Sequence, residues 1–321
     1  MPRPVLIGQT NLDADQLVFF KQQLQHHMAK SFDVKYPTPM ATSLFPVSVE
    51  AGPGAETIVY DQFDSIGVVK FITDYADDLP RSDVKGKQFS IIIQSLGGSY
   101  GWSIQEVRSA AMAKRNLNGM RAAAARRSND IMVNKIAWHA DGSANWAGLV
   151  GILRHPNVTK ISAASLTADT TDTGVFSSAA PDKMIEIVNN AIQSVPDLTN
   201  GLEVIDTLLF PPKQYGLLAT TPRSSHSDTT VLKFLKEVNP NVTFGSVNEL
   251  KNVVNPRTGS GTVNCMLGYR RSADHMQLHI PIIYEQFAAQ ERNLAYIVPT
   301  HSRIAGFNIP YPLSVVVVDG I

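Results

Sequence analysis

Residues 102–138 read WSIQEVRSAAMAKRNLNGMRAAAARRSNDIMVNKIAW, and the rest of the chain is organised around this stretch. Ser103 and Glu106 have the spacing of a capping box, in which each side chain satisfies a free backbone N–H at a helix start. Trp102 and Val107 are spaced to form a hydrophobic staple across that start. Ile104, Val107, Ala111, Leu117, Met120, Ala124 and Ile131 fall near one helical stripe. Residues 103–127 hold no Pro, and Gly119 is the one poor helix former among them. The spacing predicts one helix from Trp102 to about Ala137, roughly 25–35 residues and about 40–50 Å long at 1.5 Å per residue. Such a helix crosses a whole domain, and Gly119 is the place for it to bend.

The same stretch is lopsided in charge. Arg108, Lys114, Arg115, Arg121, Arg126, Arg127 and Lys135 stand against only Glu106 and Asp130. A solvated basic face explains most runs of this kind. The alternative is an acidic counterpart, and the chain just before the helix carries Asp61, Asp64, Asp74, Asp77, Asp78 and Asp83.

Upstream, residues 13–30 (DADQLVFFKQQLQHHMAK) predict a short amphipathic helix. Residues 34–60 then change character. Pro37, Pro39, Pro46 and Pro53 predict an extended arm in need of a surface, which a neighbouring molecule can supply. Residues 66–95 predict a long hairpin, with IGVVKFIT leading in, QFSIIIQ leading back and the polar DYADDLPRSDVKGK between them. LGGSYG at 96–101 reads as a hinge into the helix. Downstream, DKMIEIVNNAIQSV (182–195) predicts an amphipathic helix with Met184, Ile185, Val188 and Ile192 on one side. EVIDTLLF predicts a strand, KQYGLLAT a helical turn, and DTTVLKFLKEVN a helix capped by Asp228 or Thr229. CMLGYRR, MQLHIPIIY, LAYIVPTHSR and YPLSVVVVDGI predict sheet strands.

Composition narrows the class. The chain has 321 residues, enough for one large domain or two ordinary ones. Charged residues are 17% and formal net charge is +0, against about 25% charged in a typical soluble domain. A neutral, weakly charged surface favours association. It lacks the basic excess of a free nucleic-acid-binding protein. The single Cys265 excludes an intrachain disulfide framework and a Cys-rich zinc site. MPRPVLIGQT has no signal-peptide core, and no apolar run of about 18 residues occurs. The expectation is a chain made in a cytoplasm, soluble or built into a soluble assembly.

Proline-rich arm, long hairpin, long basic helix, α/β region and returning strands, in this order, resemble the tailed-phage major capsid protein with the Hong Kong 97-type fold. The similar stretches are FPVSVEAGPGAETIVYDQFDSIGVVKFI (45–72), DDLPRSDVKGKQFSIIIQSLGGSYGWS (77–103), AARRSNDIMVNKIAWHADG (124–142), GLVGILRHPNV (148–158), MLGYRRSADHMQLHIPIIYEQF (266–287) and YIVPTHSRIAGFNIPYPLSVVVVDGI (296–321). The resemblance implies an α+β capsid fold. Its parts are an N-terminal arm (1–60), an extended loop (61–101), a peripheral domain with a spine helix (102–180), an axial domain (181–300) and returning strands of the peripheral domain (301–321). It implies a structural protein without catalysis or cofactor, assembling as hexamers and pentamers into an icosahedral shell around double-stranded DNA in the virion. Scaffolding, portal and decoration proteins are the implied separate partners, and no membrane is involved. Candidate intersubunit contacts are Asp77, Asp78, Arg81, Asp83, Lys85 and Lys87 in the loop, and Arg108, Arg115, Arg121 and Arg126 in the helix. Some shells of this fold carry a Lys–Asn isopeptide bond. Lys85 or Lys87 with Asn145 or Asn157 are the residues to weigh, against a plainer reading as solvated lysines.

Two rivals remain at this point. A cellular nanocompartment shell of the encapsulin type shares the fold and encloses a cargo enzyme instead of DNA. A soluble metal-dependent hydrolase would use His275 and His279, which stand four apart. Met276, however, stands where a zincin needs Glu, and the surroundings alternate like a strand.

Overall fold

The computed structural model describes residues 35–71, 81–113, 117–167, 174–224 and 228–321. Contacts divide the chain into units Met1–Thr38 and Pro39–Ile321, and every element named below lies in the second. The helix expected over residues 13–30 lies outside the described residues.

A helical turn at Ala41–Leu44 opens this unit. Strands β1 (Thr57–Ile66) and β2 (Asp83–Ile92) then form a two-stranded ribbon. β3 (Gln94–Ser103) leads into helices α1 (Ile104–Ala113) and α2 (Leu117–His139). β4 (Thr159–Ser162), α3 (Pro181–Thr199), β5 (Thr207–Phe210), α4 (Pro212–Thr220), α5 (Val231–Val238) and β6 (Thr243–Ser246) follow. The C-terminal strands are β7 (Cys265–Tyr269), β8 (Ile282–Gln286), β9 (Gln290–Arg292), β10 (Ala295–Ile304) and β11 (Val315–Asp319).

The run VVVVD explains the centre of the molecule. It forms β11, inside a five-stranded sheet of order β4-β11-β7-β5-β6. β7 runs antiparallel to both its neighbours, and the two outer pairs are parallel. Every residue of β5, β7 and β11 is buried. A strand covered on both faces needs a continuous apolar run rather than an alternating one. Val315, Val317, Leu267 and Tyr269 face one core, and Val316, Val318, Met266 and Phe210 face the other. The first core packs the end of α2 through Val133, Ile136, Ala137 and Trp138. The second packs α3 through Met184, Ile187, Val188, Ala191 and Val195, together with α5. α5 is capped by the Thr230 hydroxyl, which accepts from Lys233 N at 3.4 Å, rather than by Asp228 or Thr229. The sheet takes strands from each of the spans 102–180, 181–300 and 301–321. A sequence boundary at 180 or 300 therefore does not coincide with a boundary between sheets.

LGGSYG is strand rather than hinge. It lies within β3, which pairs antiparallel with β10 from Gln94↔Ile304 to Ser103↔Ala295. Close approach accounts for Gly101, where a Cβ would stand 2.5 Å from the Tyr296 carbonyl oxygen.

The expected single long helix is described as α1 and α2, with residues 114–116 outside the described residues. The capping box forms as predicted. Glu106 N donates to Ser103 Oγ at 3.1 Å, and Ser103 N donates to Glu106 Oε2 at 3.0 Å. The Trp102 ring lies beside those of Tyr100 and Tyr296, while Val107 is exposed. Arg121 Nη2 meets Glu106 Oε1 at 2.9 Å. Fifteen residues along a straight helix span about 22 Å, so this contact means that α1 and α2 are not collinear. The predicted apolar stripe is not core-facing either. Among described side chains, full burial on these helices begins at Val133, and Met112 and Met120 are exposed. Among the described residues, neither core includes a side chain from the first part of the helical stretch.

Candidate assembly surfaces

The arm divides into a docked part and an undocked part. Phe45 is 2% exposed and sits among Trp138, Tyr269 and Phe307, at ring-centroid distances of 5.0, 5.3 and 4.9 Å. Asn134 on α2 accepts from the Met40 and Ala41 N–H groups at 3.2 and 2.9 Å, and so caps the Ala41–Leu44 turn from outside. Its Nδ2 donates to Glu249 Oε1 at 2.7 Å. The Tyr269 hydroxyl donates to Leu44 O at 3.1 Å, and Arg271 Nη2 donates to Ser43 O at 2.7 Å. Val47–Ser48 then pairs parallel with Leu278–His279. The expectation that the arm needs a neighbour's surface is therefore corrected for residues 40–48, which lie on their own chain.

The ribbon is the opposite case. Its strands pair from Thr57↔Ile92 to Ile66↔Asp83, so the ingoing strand is TIVYDQFDSI rather than IGVVKFIT. Tyr60 stacks on Phe89 at 5.2 Å, and Lys87 Nζ lies 4.8 Å from the same Phe89 ring. Most of its side chains are exposed, and among the described residues the ribbon has no third strand. Two strands alone are marginal in water, whereas packing on another surface makes such a ribbon durable.

The candidate contact residues sort accordingly. Asp83, Lys85 and Lys87 lie on β2, and Arg81 lies just before it, all exposed. Asp77, Asp78 and Arg115 lie outside the described residues. Arg108 is exposed on α1, and the Arg126 guanidinium lies 6.0 Å from the Tyr284 ring centroid. Arg121 is occupied within its own chain by Glu106 and by the Gly101 carbonyl. The hydrogen bond from Arg121, followed by that from the Ser103 N–H, holds the Glu106 carboxyl down at about 2.

The two histidines singled out for metal chemistry have other surroundings. His275 precedes its strand in a turn, and its Nε2 stands 2.9 Å from Glu203 Oε2, which also takes Arg270 Nη1 at 3.0 Å. His279 ends the short strand Gln277–His279 and is 5% exposed, and burial lowers its pKa. Cys265 is fully buried, and that burial pushes its thiol up to about 12, the behaviour of a small hydrophobe. Sequence reasoning missed Phe45 and Asn134. The available signal for Phe45 was the apolar pair Leu44–Phe45 standing directly before Pro46.

A body stabilised by two cores, carrying an exposed ribbon and, among the described residues, a helical stretch that neither core includes, is the form of a subunit that completes itself on other molecules. The comparisons with known proteins give that class a family. The model of the major capsid protein family matches residues 67–321, and the chain belongs to that family. Its role is structural, as part of a capsid shell. The fold matches the solved capsid of Myoviridae phage XM1 with a TM-score of 0.79 at 17% identity, over 94% of this chain and 98% of that one. It matches Mycobacterium phage Ogopogo at 0.62 and 13% identity, over 94% and 98% of the two chains. The mature capsid of bacteriophage PhiM1 matches at 0.53 and 13% identity, over 92% and 91%. The expected Hong Kong 97-type fold is thereby established. No curated protein matches the chain in sequence.

Proposed function

We propose that this chain is the major capsid protein of a tailed phage and that its copies, as hexamers and pentamers, close an icosahedral shell around double-stranded DNA. The observation that carries the reading is the exposed ribbon β1–β2 on a chain of the major capsid protein family. In this reading the ribbon is the extended loop and lies on a neighbouring copy. α1 and α2 form the spine of a peripheral domain, and α3–α5 with the five-stranded sheet form the axial part. Arg108 and Arg126 then meet either a neighbour or the phosphates of packaged DNA, contacts that need no base sequence. Scaffolding, portal and decoration proteins are separate chains, and the mature location is the virion. The test is the content of particles recovered from the native source. Nuclease-protected double-stranded DNA inside them is the expected result. An enclosed protein cargo without DNA would overturn the phage reading in favour of a nanocompartment shell.

A further inference from the structure

The strand register gives the ribbon two chemically different faces. Residues directly paired across antiparallel strands share a face, and successive residues alternate. One face carries the pairs Thr57/Ile92, Val59/Ser90, Asp61/Gln88, Phe63/Gly86 and Ser65/Val84. Asp61 is its single charge. Val59, Phe63, Val84 and Ile92 on that face are 49%, 70%, 61% and 49% exposed. The Phe63 ring lies across Gly86, where an added Cβ would meet it at 3.0 Å. The other face carries Ile58/Ile91, Tyr60/Phe89, Gln62/Lys87, Asp64/Lys85 and Ile66/Asp83. Here Lys85, Lys87, Asp64 and Asp83 gather at one end, and the apolar pairs at the other end are half-buried.

We infer that the ribbon docks through the face of Val59, Phe63, Val84 and Ile92, that the occupant beneath it is a second copy of this chain, and that Lys85 and Lys87 point away from that contact. The inference rests on the reading of the ribbon as an intersubunit loop and specifies which side of it makes the interface. Four of the ribbon's five exposed large apolar side chains lie on this face, the fifth being Ile66 on the other, and such a cluster marks a surface that is covered in the assembly. The lysine-bearing face differs in holding the four charges Asp64, Asp83, Lys85 and Lys87, and its pairs Ile58/Ile91 and Tyr60/Phe89 are already half-buried. The occupant is a second copy because the chain belongs to a family of shell-forming proteins. Its own exposed apolar residues on α1 and α2, Val107, Met112 and Met120, offer matching chemistry.

The test uses the full-length chain in three forms. Phe63→Ser with Val84→Ser alters the apolar face, Lys85→Glu with Lys87→Glu reverses the two positive charges of the other face, and a third form lacks residues 74–87. Sizing chromatography and electron microscopy read assembly, and thermal unfolding reads the fold. The single change Val84→Thr, nearly equal in volume, serves should the double variant unfold. The expected result is that the apolar-face variants stay as folded, unassembled subunits while the lysine variant forms shells at the parental level. Shells from the apolar-face variants, or their loss only with the lysine variant, would overturn the inference. If the 74–87 deletion still blocked assembly in that case, the ribbon would remain an intersubunit element with its faces misassigned. If the deletion also assembled, the ribbon reading itself would fall.

Discussion

Phe45→Ala is expected to destabilise the folded chain by about 3–5 kcal/mol, the range for removing a fully packed aromatic from a core. Phe45 is where the arm enters the first core, in contact with a helix residue (Trp138), a sheet residue (Tyr269) and a residue of the short strand Gly306–Asn308. Truncation leaves a cavity that none of these can fill alone, because each belongs to a different element. It also loosens the arm, which is then held by Asn134, Tyr269, Arg271 and the pairing of Val47–Ser48 with Leu278–His279. Urea unfolding of the subunit measures the effect, and Phe45→Leu, which refills much of the volume, should recover most of it. A loss under about 1 kcal/mol would mean that the arm is not part of the core.

Deleting residues 74–87 is expected to abolish shell formation while leaving the subunit folded. Residues 81–87 are exposed throughout, and neither core includes any residue of the deleted span that the structure describes. The deletion removes half of β2, including Asp83, Val84, Lys85 and Lys87, and with it the partner of the distal half of β1. Stability is therefore set by elements that the deletion leaves intact, while assembly loses its reaching element. Thermal unfolding at the parental temperature with no particles in the micrographs is the expected pair of observations. Normal particles would show that the ribbon is dispensable.

What could be read directly from the residues was local. The capping box of Ser103 and Glu106 needs only neighbours in sequence, and it forms as spaced. The valines of β11 announce a strand covered on both faces, because solvent exposure on either side would have demanded alternation. The amphipathic α3 follows its period of 3.6, with burial at Met184, Ile187, Val188, Ala191 and Val195. The order of elements was enough to suggest the family. What was not legible depended on distant partners. A proline-rich arm has no periodicity, so Phe45 gave no sign that its pocket is built from residues 138, 269 and 307. Arg121 looked like a free cation until the change of direction between α1 and α2 brought it to Glu106. The ribbon's ingoing strand was placed late because IGVVKFIT is more apolar than TIVYDQFDSI. The pairing instead follows cross-strand partners such as Tyr60 with Phe89. Read as a linear sequence, the charges of the loop suggested an ionic contact. Alternation places Lys85 and Lys87 on one side and Phe63 and Val84 on the other, and only the register shows which side is apolar.

Electron microscopy with sizing chromatography, on the chain expressed alone and together with its genomic neighbours, tests the central claim most directly. Closed shells, or rings of five or six subunits, are the predicted result. A chain that stays monomeric or dimeric under all of these conditions would contradict the account that its ribbon and the exposed side chains of its helical stretch are surfaces for other copies of itself.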